Sequence, residues 1–310
     1  MQNHFITAGR ITLAASIAAC FSGLAQAQDG APAPDNTHLP AAQQTHGLPT
    51  NWNDTFVGYR YSSNFHFPGS SAKVAQNIGS LTSTGGFGLG SYYFNVDYLT
   101  SDRNNPESSP NVPAAYLNHG AQETYSVGHV EWSASKITHQ NLGFGPIRDF
   151  GLTTGFEWGT KDDAFEQRAK MWMLGLTAEF AVPGYWNLTL GARNEQNYNG
   201  ITGTDLHYNT AWHVDSAWMI PVNAAPVPLV FKGFVAVTGP KGEDGFGAEK
   251  TVTETLLRTS LLVDAGSLIG HPRSFYVGPG YEYWNHMFGA PSSTPGTKRS
   301  AAVFVAEAHF

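Results

Sequence analysis

The chain is poor in charge, in cysteine and in long apolar runs, and each shortage excludes a class of protein. Charged residues make up 13% of its 310 residues, half of the ~25% that is usual in soluble domains. Its single cysteine, Cys20, cannot form a disulfide within the chain. After residue 28 no apolar run approaches the ~20 residues of a membrane-spanning helix. The formal net charge of −7 argues against nucleic-acid binding, which requires a basic surface.

Residues 1–27 have the features of an export signal peptide. A short apolar run extends from Ile11 to Ala19, and Ala25-Gln26-Ala27 provides the small residues that precede a cleavage point. We therefore expect the mature chain to begin at Gln28, free of thiols and one charge more acidic. The alternative is lipoprotein processing before Cys20, because the four residues that end there resemble a lipoprotein cleavage box.

From residue 55 onward, apolar and polar side chains alternate, which predicts β-strands. Residues 28–50, rich in Ala, Pro, Gln and Asn, show no such period and predict a flexible periplasmic lead-in. An even strand number is the rule for single-chain bacterial barrels. The predicted fold is all-β, a twelve-stranded antiparallel transmembrane β-barrel over residues 51–310. The predicted strands are 55–66, 74–83 (the weakest alternation), 88–100, 124–138, 147–159, 168–182, 185–197, 205–221, 227–238, 251–264, 273–286 and 299–310.

Charge collects on one face of these strands. Within 185–197, Leu188 and Leu190 share one face, and Thr189 and Arg193 share the other. A basic residue on the lipid side costs ~2–4 kcal/mol at mid-membrane, so the charged face is predicted to point inward. A secreted β-sandwich would carry the same charged face on its outside, and the alternation alone leaves that alternative open. The predicted inward charges are Arg60, Asp97, Glu131, Glu157, Glu179, Arg193, Glu195, Asp215, Lys232, Glu254, Arg258, Glu282 and Glu307.

The chain ends on an aromatic residue, Phe310, which shares a strand face with Phe304, Ala306 and Ala308. An apolar face that ends on a terminal aromatic is typical of the last strand of a bacterial outer-membrane barrel. Together with the signal and the even strand count, it favours the barrel over the sandwich. We expect the protein to lie in the lipid of the cell outer membrane, after export through the periplasm and recognition of Phe310 by the barrel-assembly machinery.

The strand number also predicts the state of the interior. Barrels of about eight strands are filled by side chains, and those of sixteen to eighteen leave an open channel. Twelve strands predict a narrow passage, in which aromatic faces stack a flat ring and ionisable groups hydrogen-bond a small polar solute. We expect no catalytic residues, metal or cofactor. The predicted solute-binding residues, for each of which structural packing is the alternative, are Arg60, Tyr93, Asp97, Tyr125, Glu131, Glu157 and Arg193.

Four short segments resemble a known family. They are Leu142–Phe150 (LGFGPIRDF), Glu195–Gly200 (EQNYNG), Ala217–Val222 (AWMIPV) and Tyr283–His286 (YWNH). In sequence and in order they resemble the nucleoside-specific channel-forming outer-membrane proteins, the Tsx-like family. The resemblance implies a monomeric barrel with a narrow passage that binds nucleosides weakly, and a receptor role for phages or colicins.

Two other functions remain as alternatives. A lipid-modifying enzyme of the phospholipase type needs a serine, a histidine and an orienting polar group within hydrogen-bond reach. His207, His213 and Asp215 share a predicted face, but that face points to the lumen rather than to lipid, and the sequence has no Asn-His-x-Ser motif. A non-conducting adhesin or receptor barrel is disfavoured by the modest length of the predicted outer loops.

The assignment of these loops to the outside of the cell assumes a periplasmic N-terminus. Longer connections are expected outside the cell and tight turns such as Pro183-Gly184 inside. The predicted outer connections are 67–73, 101–123, 160–167, 198–204, 239–250 and 287–298.

A protease added to intact cells should therefore cut within 101–123 and spare Pro183-Gly184, because nicking concentrates in exposed polar loops. Mass spectrometry of the fragments identifies the cut. Cleavage at residue 183 while the membrane is intact would reverse the orientation.

Overall fold

The computed structural model describes residues 51–108, 119–222, 227–243 and 249–310. The predicted signal (1–27) and lead-in (28–50) lie outside these described residues. Within them, no helix is both long enough and apolar enough to cross a membrane.

Strands dominate the described residues, and short helices occupy a few of the connections. The helices are α1 (Ala134–Thr138) and α2 (Ala265–Leu268), with one 3-10 turn at Met287–Gly289. The strands are β1 (Trp52–Phe67), β2 (Ser70–Phe87), β3 (Gly90–Ser101), β4 (Gln122–Ser133), β5 (Ile147–Lys161), β6 (Arg168–Phe180), β7 (Tyr185–Asn199), β8 (Thr204–His207), β9 (Ala211–Val222), β10 (Leu229–Thr238), β11 (Glu254–Asp264), β12 (Phe275–Asn285) and β13 (Arg299–His309).

These strands form one closed antiparallel sheet. Neighbours along the chain pair from β1 to β7 and from β9 to β13, β7 pairs with β9, and β13 pairs with β1. In the described residues β8 pairs with β7 alone, so it extends a connection rather than the wall. The predicted twelve-stranded antiparallel barrel is confirmed. We call the end where β1 begins and β13 ends the terminal end, and the opposite end, with the β1–β2 turn, the far end.

β2 is the longest strand although its sequence alternates poorly, and it extends well beyond the predicted 74–83. Its outward residues include Asn77, Gly79 and Ser83, which interrupt any apolar face. β1 pairs with it from Gly86 to Ser70, and β3 pairs with most of the same length. Backbone hydrogen bonds to two neighbours therefore fix this strand where the side-chain pattern is weak.

Two other predicted strands have wrong boundaries. The predicted strand 124–138 ends at Ser133, whose side chain caps α1 by accepting a hydrogen bond from the backbone N–H of Lys136 at 3.1 Å. The predicted strand 205–221 is divided into β8 and β9. The chain leaves the sheet between them, where the N–H of Asn209 donates to the carbonyl of Lys241 at 2.9 Å.

Alternation between the outside and the interior is most regular in β6 and β7. Leu174 and Leu176 are exposed on the outer surface, whereas Met173 and Thr177 on the same strand are buried inside the barrel. Aliphatic side chains on the outside transfer their apolar surface from water to hydrocarbon, which stabilises the barrel in a bilayer by ~25 cal/mol per Å².

Aromatic residues border this apolar band at both ends. Toward the far end the rings of Trp158 and Trp172 have centroids 5.8 Å apart, and toward the terminal end those of Phe180 and Trp186 are 4.5 Å apart. Tryptophan is favoured at the two interfaces of a bilayer, where one part of the ring is apolar and the N–H is wet. The outer surface is therefore that of a membrane-spanning barrel.

Two adjacent residues of β11 test the assignment of the two faces. Leu261 is exposed on the outside, and Ser260 faces the interior beside Gly280 of β12, where it is only partly buried. Leu261→Arg should destabilise the folded barrel in vesicles by ~2–4 kcal/mol, and Ser260→Arg should cost much less. Urea unfolding from lipid vesicles, followed by tryptophan fluorescence, measures both. Equal stability of the two variants would refute the inside–outside assignment.

Candidate functional site

The seven predicted solute-binding residues all face the interior. Strand pairing shows this directly, because directly paired residues of an antiparallel sheet point to the same side. Tyr93 of β3 pairs with His129 of β4, and the same row continues through Gly155 and Met173 to Arg193 of β7. The neighbouring rows carry the remaining five residues on the same side, namely Arg60, Asp97, Tyr125, Glu131 and Glu157.

The seven residues do not form one site. A first network joins β1 to β3, where Arg60 is paired with Asp97. Asn95 donates its side-chain N–H to Asp97 at 2.9 Å and accepts from the hydroxyl of Thr82 at 2.7 Å. Asp97 therefore has both of its oxygens occupied against the wall.

A second network joins β4, β5, β7, β9 and β10. Glu157 accepts from the hydroxyl of Tyr125 and from Nη2 of Arg193, the latter at 3.0 Å. Arg193 also donates from Nη1 to Thr238 at 3.3 Å, and Thr238 in turn lies 2.9 Å from Nδ1 of His213. Removing one partner of a buried ion pair leaves the other charge uncompensated, which is strongly destabilising. The network therefore holds its side chains in fixed positions.

A third network lies nearer the terminal end and holds Glu131. Its carboxylate accepts from the hydroxyl of Tyr185 at 3.4 Å and from the amide of Asn187 at 3.5 Å. Nearby, Arg148 donates to Glu179 at 2.8 Å. Glu131 is thus buried among polar groups of β7 rather than beside Tyr93 or Arg60.

The wall of β5 is indented by glycines, and side chains of β4 fill the indentation. A Cβ added to Gly159 would lie 2.7 Å from the ring of Tyr125, and one added to Gly155 would lie 2.6 Å from the ring of His129. Both rings therefore lie flat against the wall. We call the side of the interior formed by β4 to β7 the packed half.

Threonines complete the packed half. The hydroxyls of Thr153, Thr177 and Thr189 form a ladder across β5, β6 and β7, with oxygen–oxygen distances of 2.6 and 2.9 Å. All three side chains are buried, which means that other interior side chains cover them.

The opposite side of the interior is open. On β10 and β11 the inward residues Lys232, Phe234, Arg258 and Ser260 remain partly exposed, and the outward residues beside them are also exposed in part. Tyr93 points inward, yet 41% of its surface is exposed. Both faces are therefore partly exposed over Lys232–Phe234 and Arg258–Ser260, whereas the inward side chains of Thr238 and Leu262 on the same strands are buried. We call the side formed by β10 to β12, with Tyr93 opposite, the open half; the barrel encloses an off-centre passage there.

Cations and rings surround the interior at the far end. The guanidinium of Arg299 lies 4.3 Å from the ring centroid of Phe65 and donates from Nη1 to Glu282 at 2.6 Å. Lys161, from β5, lies 4.1 Å from the ring centroid of Phe67 on β1. β1 and β5 are not neighbours in the sheet, so this contact narrows the far mouth.

Another cluster lies at the terminal end. Nζ of Lys232 donates to Glu307 at 2.6 Å, and the ring of His309 lies between Glu307 and Asp54, at 3.4 and 2.8 Å. Phe56 stacks on His309 with ring centroids 4.4 Å apart. Ion pairs therefore line the passage at both ends and along its length.

Sequence reasoning placed most of these charges inward but chose its site mainly from the packed half. Tyr93, Arg60 and Asp97 border the open half, whereas Tyr125, Glu131, Glu157 and Arg193 lie in the packed half. There Glu131 is buried, and Tyr125, Glu157 and Arg193 are held by hydrogen bonds but remain partly exposed. Arg299 was missed, although it shares the strand face of Val303 and Val305. Lys161 and Lys241 were also missed; Lys241 follows the end of β10, where alternation gives no signal.

The residues considered for an enzyme do not form a triad. His207 on β8 pairs with Gln196 on the outward face of β7, whereas His213 on β9 is buried inside the barrel, so the shared face predicted for them does not exist. Nδ1 of His213 contacts Thr238, and its Nε2 is 3.6 Å from Asp215. In the described part of the chain, no group of three or more His, Cys, Asp or Glu residues is arranged to hold a metal ion.

No protein-family model matches the chain, and no curated protein matches it. Among solved structures, the NanC porin is 10% identical, with a TM-score of 0.42, over 83% of this chain and 99% of its own. The translocator domain of the autotransporter NalP from Neisseria meningitidis is 10% identical, with a TM-score of 0.41, over 87% and 92%. The KdgM porin is 6% identical, with a TM-score of 0.40, over 84% and 99%. With identities and TM-scores this low, these likenesses carry no argument about what the chain binds or conducts.

Proposed function

We propose that the protein is an outer-membrane channel for the passive, selective diffusion of small polar solutes. The observation that carries this proposal is the off-centre passage of the open half. Tyr93 and Arg258 point into the barrel and remain exposed there, whereas the inward side chains of β6 from Ala169 to Thr177 are buried. A barrel that served only as an anchor or adhesin would have no need for one unfilled half.

The lining of this passage suits a weakly held polar solute. Its rings and ionised groups offer stacking and hydrogen bonds, but most of the hydrogen-bonding capacity of the charges is already used within ion pairs. Binding to such a surface is weak, as a channel requires, because its solute must leave as readily as it enters.

Nucleosides are the solutes that we propose first. Tyr93 offers an exposed ring face for a flat base, and the Arg60–Asp97 pair next to it offers a donor and an acceptor for a sugar hydroxyl. The resemblance of four sequence segments to the Tsx-like family supports the same solute. The packed-half residues Tyr125, Glu157 and Arg193 would then act as the rigid wall behind the passage.

Location and assembly follow from the same proposal. We propose that the far end, which carries the longer connections, lies outside the cell, and that the protein works as a monomer. Phe310, exposed and tied to β1 by a 3.0 Å hydrogen bond from its N–H to Thr55, would be read by the assembly machinery before the barrel closes.

The test is flux of radiolabelled nucleosides into liposomes that carry the purified protein. Flux should saturate at high nucleoside concentration, and Tyr93→Ala should weaken that saturation because it removes the exposed ring from the passage. Tyr98→Ala is the matched control, since Tyr98 is on the same strand but faces outward. Linear flux that does not distinguish nucleosides from sugars or amino acids of similar size would contradict the selective channel.

A further inference from the structure

The ion pairs of the open half share one orientation, with the cation toward the passage. The side chain of Arg258 is 30% exposed and that of its partner Glu282 is 2% exposed. For Lys232 and Glu307 the values are 21% and 8%. For Arg60 and Asp97 they are 13% and 6%. In each pair the carboxylate is the group that is withdrawn from solvent.

The packed half does not show this orientation. In the Arg193–Glu157 pair the carboxylate is the more exposed partner, 19% against 12%. Arg148 and Glu179 are equally exposed, as are Glu195 of β7 and Lys241, which follows β10. The greater length of Arg and Lys side chains therefore does not explain the difference, because the same residue types behave otherwise on the other side of the barrel.

Second partners hold the carboxylates of the open half against the wall. Glu282 accepts from Arg299 at 2.6 Å as well as from Arg258 at 2.9 Å, so one carboxylate is shared by two cations. Glu307 lies 3.4 Å from the ring of His309 on the same strand. Asp97 accepts from Asn95. Each carboxylate is thus held by a second partner near the barrel wall, and the cation of the pair is the group that faces the passage.

The number of inward charges and the orientation of the ion pairs lead to opposite expectations for the ion selectivity of the passage. Inward carboxylates outnumber inward cations, which by itself would favour cations in the lumen. In water, however, the interaction of a solute with a charge falls with distance and is screened within ~10 Å at 0.1 M salt. The nearest charges therefore decide, and in the open half these are Arg258, Lys232 and Arg60. Of the carboxylates on the same wall, Glu254 has its Oε1 occupied by Trp284 and the N–H of Phe288.

We propose that the passage selects for anions, so that a nucleoside-like solute that also carries a carboxylate or a phosphate group passes more readily than the neutral nucleoside. The inference rests on the proposed channel function and deepens it. Arg258 lies 5.5 Å from the ring centroid of Phe234 and Lys232 lies 4.6 Å from that of Phe56, so each exposed cation has a ring beside it. A small organic anion with a flat or apolar part would meet both. Arginine pairs well with either anionic group, through two parallel N–H donors.

Ion selectivity in planar bilayers tests the proposal. The full chain, purified and inserted in a bilayer, is measured under a KCl gradient, and the reversal potential gives the ratio of chloride to potassium permeability. We expect chloride to be the more permeant ion. The preference should shrink as salt rises from about 0.1 M to about 1 M, because the screening length falls from ~10 Å to ~3 Å.

A unit charge ~7 Å away in water changes the partition of one ion about threefold, in opposite directions for chloride and potassium, so Arg258→Gln would lower the permeability ratio about sevenfold without screening. Screening at about 0.1 M salt reduces the expected effect to about threefold. Glu282 keeps its bond to Arg299 in that variant, so the barrel should remain folded. Lys232→Gln provides a second variant, in which His309 still contacts Glu307. Lys170→Gln is the matched control, since it removes the same charge from the outer surface and should leave the ratio unchanged.

The outcomes separate the inference from the function on which it rests. No conductance from folded protein would overturn the channel itself. Conductance with a preference for potassium, or with a chloride preference that neither Arg258→Gln nor Lys232→Gln reduces, would leave the channel standing and overturn the anion selectivity.

Discussion

Closure of the sheet by the pairing of β6 with β7 is the constraint on which the rest of the structure depends. An open edge in hydrocarbon would leave a row of backbone N–H and C=O groups without partners, at several kcal/mol for each group. Once the sheet is closed, the two-residue period of each strand decides which side chains face lipid and which face the interior. Every residue between the bilayer interfaces must face either lipid or the interior, and the charges of this chain have only the interior to occupy.

Charges inside a narrow barrel must in turn be paired, and the pairing divides the interior. Where the wall carries glycine and threonine, rings and ion pairs fold down onto it and fill one half. Elsewhere in the wall, Arg258 pairs with Glu282 on the next strand and Lys232 reaches Glu307 three strands away, and both cations remain partly exposed. The passage is therefore the part of the interior that stays unfilled once the inward polar side chains have formed their ion pairs and hydrogen bonds.

The sequence was sufficient for the barrel but not for the passage. Alternation predicted twelve strands and the inward face of each, because lipid and lumen impose a period of two on every strand. Alternation underestimated the length of β2, which is held by backbone pairing to β1 and β3. It also predicted β8 and β9 as one strand, because the three residues between them, which leave the sheet, have no distinctive sequence. Tyr93 and Tyr125 have the same strand parity and look equivalent in sequence. Only the fold reveals that Tyr125 lies over Gly159 while Tyr93 has no such depression to enter.

The inward glycines of β5 make the cross-section of the barrel adjustable without any change to its frame. Strand number and pairing register fix the circumference, but the depth of the wall at Gly155 and Gly159 decides how far His129 and Tyr125 project. A methyl group at Gly159 has no room unless the ring of Tyr125 moves toward the axis, and one at Gly155 requires both His129 and Met173 to move. Homologous barrels could thus become wider or narrower through single residues on one strand, while the outer surface that meets the lipid stays the same.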